Sequence, residues 1–158
     1  MIQATAPGVM RAPGCTCFKL RSLARRVTQL YDQALAPAGL TVTQYSLIAT
    51  ARRRAQVAPP AVGELAQALV TDRTTLTRNL KPLIDAGYLE LRPGVDGRSK
   101  AVIVTAHGEA AYRAARPLWK LAQAAMEARA GARRIADIHT LVDGVLPLLG
   151  PIDDRLDD

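Results

Sequence analysis

Residues 62–105 constrain this chain more than any other stretch. Val62-Gly63-Glu64-Leu65-Ala66-Gln67-Ala68-Leu69 has the apolar spacing of a short helix, Val70-Thr71-Asp72 reads as a turn, and Arg73-Thr74-Thr75-Leu76-Thr77-Arg78-Asn79-Leu80-Lys81 opens a second helix. Gly87-Tyr88-Leu89-Glu90-Leu91-Arg92-Pro93 and Ala101-Val102-Ile103-Val104-Thr105 then read as two strands flanking Gly94-Val95-Asp96-Gly97-Arg98-Ser99-Lys100. Two helices at a sharp angle, followed by a hairpin with a basic tip, make a winged helix-turn-helix. Such a unit lays its second helix in the DNA major groove, and its loop can reach a neighbouring groove.

The flanking sequence is helical. From about Cys15 to Leu35, Leu20, Leu23, Ala24, Val27, Leu30, Tyr31 and Ala34 form one apolar stripe, and Pro37-Ala38-Gly39 ends it. Thr43 is the expected N-cap of a helix running to about Arg54. After the wing, Thr105 caps a long helix towards Ala130, which Pro117 should bend or restart. A last helix, about Arg133–Leu149, carries Ile135, Ile138, Leu141, Val142, Val145, Leu146 and Leu149. The winged module is too small to cover the stripes of the first and last helices, and exposed stripes of this size normally find a partner. A second copy covers them by two-fold symmetry, and two reading helices then face two half-sites of a pseudo-palindromic operator.

The expected fold class is therefore mainly α: a winged helix-turn-helix at 43–104 between N- and C-terminal dimerisation helices at 15–36 and 105–149. A disordered N-terminal arm at 1–14 and an acidic tail at 150–158 complete the chain. Its 158 residues and 49% hydrophobic content suit one compact subunit, and the 4% aromatic content favours helices over a β-sandwich. No apolar run is long enough to span a membrane and no signal peptide is evident, so a cytoplasmic protein is expected.

The net charge of +7 favours a polyanionic partner. It is concentrated in residues 1–57, where eight Lys/Arg stand against Asp32 alone. Arg52-Arg53-Arg54 could reach phosphates or be a solvated helix end. On the second helix of the motif, Leu76, Leu80, Leu83 and Ile84 should face the core. That turns Arg73, Thr74, Thr77, Arg78 and Lys81 outward, with Thr75 near the edge of that face and Asp72 at its start. Arginine suits bidentate contact with guanine, and threonine suits a thymine methyl or a phosphate. Lys81 lies far enough along to meet phosphate instead. Asp96, Arg98, Ser99 and Lys100 are the candidates on the wing, where Asp96 and Gly97 also serve the turn. Pro82 should bend the reading helix just past these residues.

Taken together, Leu40-Thr41-Val42-Thr43-Gln44-Tyr45, Asp72-Arg73-Thr74-Thr75-Leu76-Thr77-Arg78, Gly87-Tyr88-Leu89, Asp96-Gly97-Arg98-Ser99-Lys100 and Val104-Thr105-Ala106-His107-Gly108 resemble the MarR family of transcriptional regulators over roughly residues 15–149. The resemblance implies an obligate homodimer, usually a repressor, often released from double-stranded DNA by a phenolic compound or an oxidant. It also implies that Arg98 enters the minor groove while Asp96 holds its guanidinium. An arginine there senses groove width and potential more than base identity.

The cysteines bear on what is sensed. Cys15 and Cys17 do not form a disulfide framework, and neither His107 nor His139 lies at metal-ligand spacing from them; no metal or cofactor is expected. The stretch from Cys17 through Tyr31 to Thr41 resembles the organic-hydroperoxide-sensing branch of the family. The resemblance makes Cys17 the peroxidatic residue and Tyr31 one of two tyrosines that bond its thiolate; Arg21 stands at the place of the other. A second sensing site would be a cleft for a small aromatic ligand lined by Tyr31, Arg21, Tyr45, Tyr112 and Trp119; the same aromatics could instead serve core and interface packing. Against the leading reading, a non-enzymatic DNA-binding regulator, stand a thiol-based redox enzyme using Cys17 and a winged helix used only for protein contacts. The first lacks a recognisable catalytic partner for Cys17, and the second has no need of Arg98 at the wing tip.

Overall fold

The computed structural model describes residues 14–94 and 97–150. Asp96, the expected arm before Gly14 and the acidic tail after Gly150 lie outside the described residues. Helices α1 (Thr16–Leu35), α2 (Val42–Arg54), α3 (Val62–Ala68) and α4 (Arg73–Asp85) precede a hairpin of β1 (Leu89–Pro93) and β2 (Lys100–Val104). Helices α5 (Ala106–Ala130) and α6 (Ala132–Val145) follow. The result is the expected mainly helical winged helix-turn-helix.

Local chemistry sets most of the boundaries. The Cys15 Sγ accepts the Phe18 N–H at 3.5 Å and caps α1. Thr41, not the expected Thr43, caps α2. Its hydroxyl accepts the Gln44 N–H at 3.2 Å, while the Gln44 side chain accepts the Thr41 N–H at 2.9 Å. The reciprocal pair satisfies two otherwise orphaned donors, which Thr43 cannot do without a Gln or Glu three residues on. Thr105 caps α5 as expected, accepting the Gly108 N–H at 3.0 Å. Neither proline ends its helix: α5 continues through Pro117 and α4 through Pro82. Both sit on exposed faces, where water can take the carbonyl that the missing N–H leaves behind. The last helix stops short of Leu149, giving way to a 3-10 turn at Leu146–Leu149 that contains Pro147.

One core joins the reading module to α5. Tyr45, Leu47, Ile48 and Ala51 of α2 meet Leu65 and Ala66 of α3, Leu76, Leu80 and Leu83 of α4, Leu89 and Val102 of the hairpin, and Ala115 of α5. Each buried leucine stabilises the assembly by about 1.5–3 kcal/mol. The hairpin is antiparallel, pairing Leu89 with Val104, Leu91 with Val102 and Pro93 with Lys100. The Val102 N–H also donates to the Pro60 carbonyl at 2.9 Å, which seats the wing on the Pro59-Pro60 connector. The outer helices are covered unevenly. Phe18, Leu20 and Leu23 of α1 are exposed, and so are Leu141, Val142 and Val145 of α6.

Candidate nucleic-acid interface

The start of α4 is built by its own side chains. The Asp72 carboxylate accepts the Thr75 N–H at 2.6 Å, and bonds from Thr75 hold this carboxyl below its ordinary range. The structure thus makes Asp72 a cap, which locks the first turn of the helix. The Thr77 hydroxyl donates back to the Arg73 carbonyl at 2.8 Å. With Leu76, Leu80 and Leu83 buried and Ile84 half-buried, helical periodicity leaves Arg73, Thr74, Thr75, Thr77, Arg78 and Lys81 exposed.

The wing turns back beside this face. Gly97, at φ +67°, donates to the Gly94 carbonyl at 3.0 Å, and the Gly94 N–H donates to the Ser99 carbonyl at 2.8 Å. That geometry carries Arg98 and Lys100 to a groove of about 550 Å³ whose far wall holds Arg73, Thr77, Arg78 and Lys81. Val62, Leu80, Ile84 and Leu91 complete its lining. Asp85 is the acid in the lining and is bonded to Lys81 at 2.7 Å. The pair is largely exposed and contributes little to stability. Residues from two separate segments thus form one basic concave surface. Leu91 and Val62 had no functional signal in the sequence; their place follows from strand alternation and the seating of α3.

Of the basic triplet at the end of α2, Arg53 and Arg54 are exposed, but Arg52 turns inward. Its Nε donates to Glu109 of α5 at 2.8 Å, and its guanidinium lies 4.8 Å from the Tyr112 ring centroid. The hydrogen bond to Glu109, together with that carboxylate's charge, raises the Arg52 pKa further.

The expected sensing residues are not assembled within one subunit. Cys15 and Cys17 are both exposed. Arg21, one turn beyond Cys17, borders a shallow groove along α1 with Ala24, Arg25, Thr28 and Gln29. Tyr31 is about 21 Å further along the helix than Cys17, at 1.5 Å of rise per residue. Its hydroxyl donates to Gln123 of α5, and burial, aided by the Glu127 charge, raises its pKa. Among the described residues no group of three or more His, Cys, Asp or Glu is placed to hold a metal ion.

The aromatic residues pack on one another. The buried Tyr45 ring stacks on Tyr112 at 5.5 Å and on Trp119 at 5.9 Å, with interplanar angles of 12° and 20°. Tyr31 meets Trp119 at 6.5 Å. Burial, followed by the neighbouring Tyr112, pushes the Tyr45 hydroxyl up to about 12. Within the subunit this is a ring stack that bonds α2 to α5.

Comparison with known proteins agrees with the architecture. The transcriptional regulator MosR of M. tuberculosis, solved in complex with DNA, is 37% identical over 85% of this chain and 98% of its own, with a TM-score of 0.73. The chain belongs to the MarR family of transcriptional regulators. E. coli MarR in its apo form (24% identical, 85% of this chain and 98% of that one, TM-score 0.66) and the S. aureus MepR–DNA complex (15%, 85% and 96%, 0.70) share its fold. An HTH-type transcriptional regulator of Bacillus subtilis, YwoH, is 29% identical over 94 residues, which span 60% of this chain and 66% of that protein. No protein-family model matches the sequence.

Proposed function

We propose that this MarR-family protein binds a pseudo-palindromic operator in double-stranded DNA as a homodimer. The observation that carries the reading is the groove between α4 and the wing, where Arg73, Arg78, Lys81, Arg98 and Lys100 face one space with Asp85 as the acid among them. Arg73, Thr74, Thr75, Thr77 and Arg78 stand where a reading helix meets base edges and phosphates; Lys81, Ser99 and Lys100 suit phosphates, and Arg98 the adjacent minor groove. Asp72 contributes by capping the helix that presents them. The exposed apolar residues of α1 and α6 support dimerisation through those helices. Footprinting of the DNA flanking the gene tests the proposal. Two protected half-sites related by symmetry are expected, and protection no different from that of random DNA would refute it.

The finer reading is a repressor released by an effector. The thiol reading rests on Cys17, exposed in the isolated subunit at the start of α1, whose thiolate an organic peroxide would oxidise to a sulfenic acid while being reduced to an alcohol. Peroxide should free the wild-type protein from DNA and leave Cys17→Ser bound. Retention of the operator under peroxide, with release by an aromatic carboxylate such as salicylate, would shift sensing to the ring stack of Tyr45, Tyr112 and Trp119. As a regulator the protein needs no catalytic turnover. Among the described residues, no helix is long and apolar enough to cross a membrane.

A further inference from the structure

Helix α2 is tied to both α1 and α5. At its first residue the Val42 N–H donates to the Asp32 carboxylate of α1 at 2.7 Å. At its other end Arg52 is bonded to Glu109 of α5 at 2.8 Å, over the face of Tyr112, which itself stacks on Tyr45 of the same α2. Helix α2 also shares a core with α4 and β2, so its orientation is the orientation of the reading surface. Arg52 is the first of three consecutive arginines and could have extended to solvent with Arg53 and Arg54; instead it spans 57 residues of sequence to reach the first turn of α5. There the positive end of the helix dipole favours an acidic side chain in the first turn.

We propose that the Arg52–Glu109 pair is a positioning latch that fixes the angle between the reading module and α5. The proposal rests on the DNA-binding dimer only for its consequence. In a dimer, that angle sets the separation of the two reading helices, and DNA accepts one separation per operator. The shared core and the stack of Tyr45 on Tyr112 and Trp119 still join α2 to α5 without the latch, but the Arg52 end of α2 is held less tightly; the spread of angles widens, and apparent affinity falls with the fraction of molecules in the competent one. The core around Leu47, Ile48 and Ala51 does not depend on the pair, so the fold survives its loss. Two latches per dimer, each with the strength of a partly exposed ion pair, give an expected loss on the order of tenfold.

Full-length Glu109→Gln, Arg52→Gln and the double variant would be titrated at matched salt on the footprinted operator and on one with a base pair inserted between half-sites. Each single change should weaken operator binding, the double no more than either alone, and the penalty for the inserted base pair should shrink. A phosphate-contacting Arg52 gives the opposite sign, because Glu109→Gln would release it and tighten binding; that result, or unchanged affinity and spacing penalty, overturns the latch. A second readout needs no DNA. Spin labels at positions 74 and 120, in a Cys15→Ser, Cys17→Ser background diluted with unlabelled protein, report the angle within one subunit. Glu109→Gln should broaden their distance distribution. An unchanged width overturns the latch even where operator binding succeeds, whereas a broadened width in a protein that binds no operator sustains the latch and rejects the DNA-binding reading.

Discussion

Gly108→Ala is expected to destabilise the protein although alanine is the better helix former. Gly108 lies buried in the first turn of α5, against the end of the hairpin. A Cβ built there would collide with the Tyr88 carbonyl oxygen and stand 3.0 Å from the carbonyl carbon and from a Val104 methyl. The oxygen is backbone and cannot swing aside, so the start of α5 must move. That motion also strains Thr105, whose hydroxyl accepts the Gly108 N–H and donates to the Gly87 carbonyl at 2.7 Å. Replacing glycine inside a helix gains up to about 1 kcal/mol. Overpacking a filled site costs about 1–3 kcal/mol, and a weakened hydrogen bond adds about 0.5–1.5 kcal/mol. The net loss of about 0.5–4.5 kcal/mol should lower the melting temperature, at about 2–4 °C per kcal/mol for a domain of this size. Gly63 is the matched control: it sits in α3 with nothing within 4 Å of a built Cβ, so Gly63→Ala should be neutral or gain up to about 1 kcal/mol. Differential scanning calorimetry reads both. A Gly108→Ala protein melting at or above wild type would refute the reasoning.

Val70, at φ +51° in the turn between α3 and α4, is a β-branched residue in a left-handed conformation. Val70→Gly should therefore stabilise by roughly 0.5–1 kcal/mol in urea unfolding, and a loss of similar size would show that the exposed side chain matters more than the strain. The Asp72 cap gives a pH signature. Its folded carboxyl is held low, so its stabilisation is present above the ordinary carboxylate range and is lost as pH falls through the folded value. Asp72→Asn should narrow its stability gap to wild type as acid is added, whereas a gap constant with pH would remove the charge from the cap. Arg73→Ala or Arg78→Ala should cost about 1–3 kcal/mol on the cognate operator and relax preference at one position per half-site. Equal losses on random DNA would make that arginine a phosphate contact.

What was legible in the sequence was local. The cap at Thr105, the apolar face of α4 and the turn glycine at Gly97 each depend on neighbours within a turn, so spacing alone located them or their elements; Asp72, read as a turn residue and a DNA contact, is a cap by equally local chemistry that went unread. The Thr41 cap was equally local, carried by Gln44 three residues on, and was missed in favour of the nearer Thr43. Long-range pairing was not legible. Nothing near Arg52 announces Glu109, and a basic triplet before a helix-turn-helix reads as a phosphate contact or a solvated helix end until α5 is folded against it. The Thr-x-x-Gly spacing at Thr105–Gly108 was visible as a pattern, but the reason for the glycine, the Tyr88 carbonyl, belongs to the packing of helix on hairpin. The aromatic residues had the chemistry of a ligand cleft; in the subunit their flat faces find each other first.

The most direct test of the central claim is the salt dependence of operator binding by wild type and Arg98→Ala. Cations that meet phosphates release counterions, so log affinity should fall linearly with log salt, with a slope of about 0.9 per phosphate neutralised. A steep slope for wild type, reduced by about one unit per subunit in Arg98→Ala, is the predicted result. Affinity insensitive to salt, or an identical slope in the two proteins, would contradict a reading surface made by α4 and the wing together.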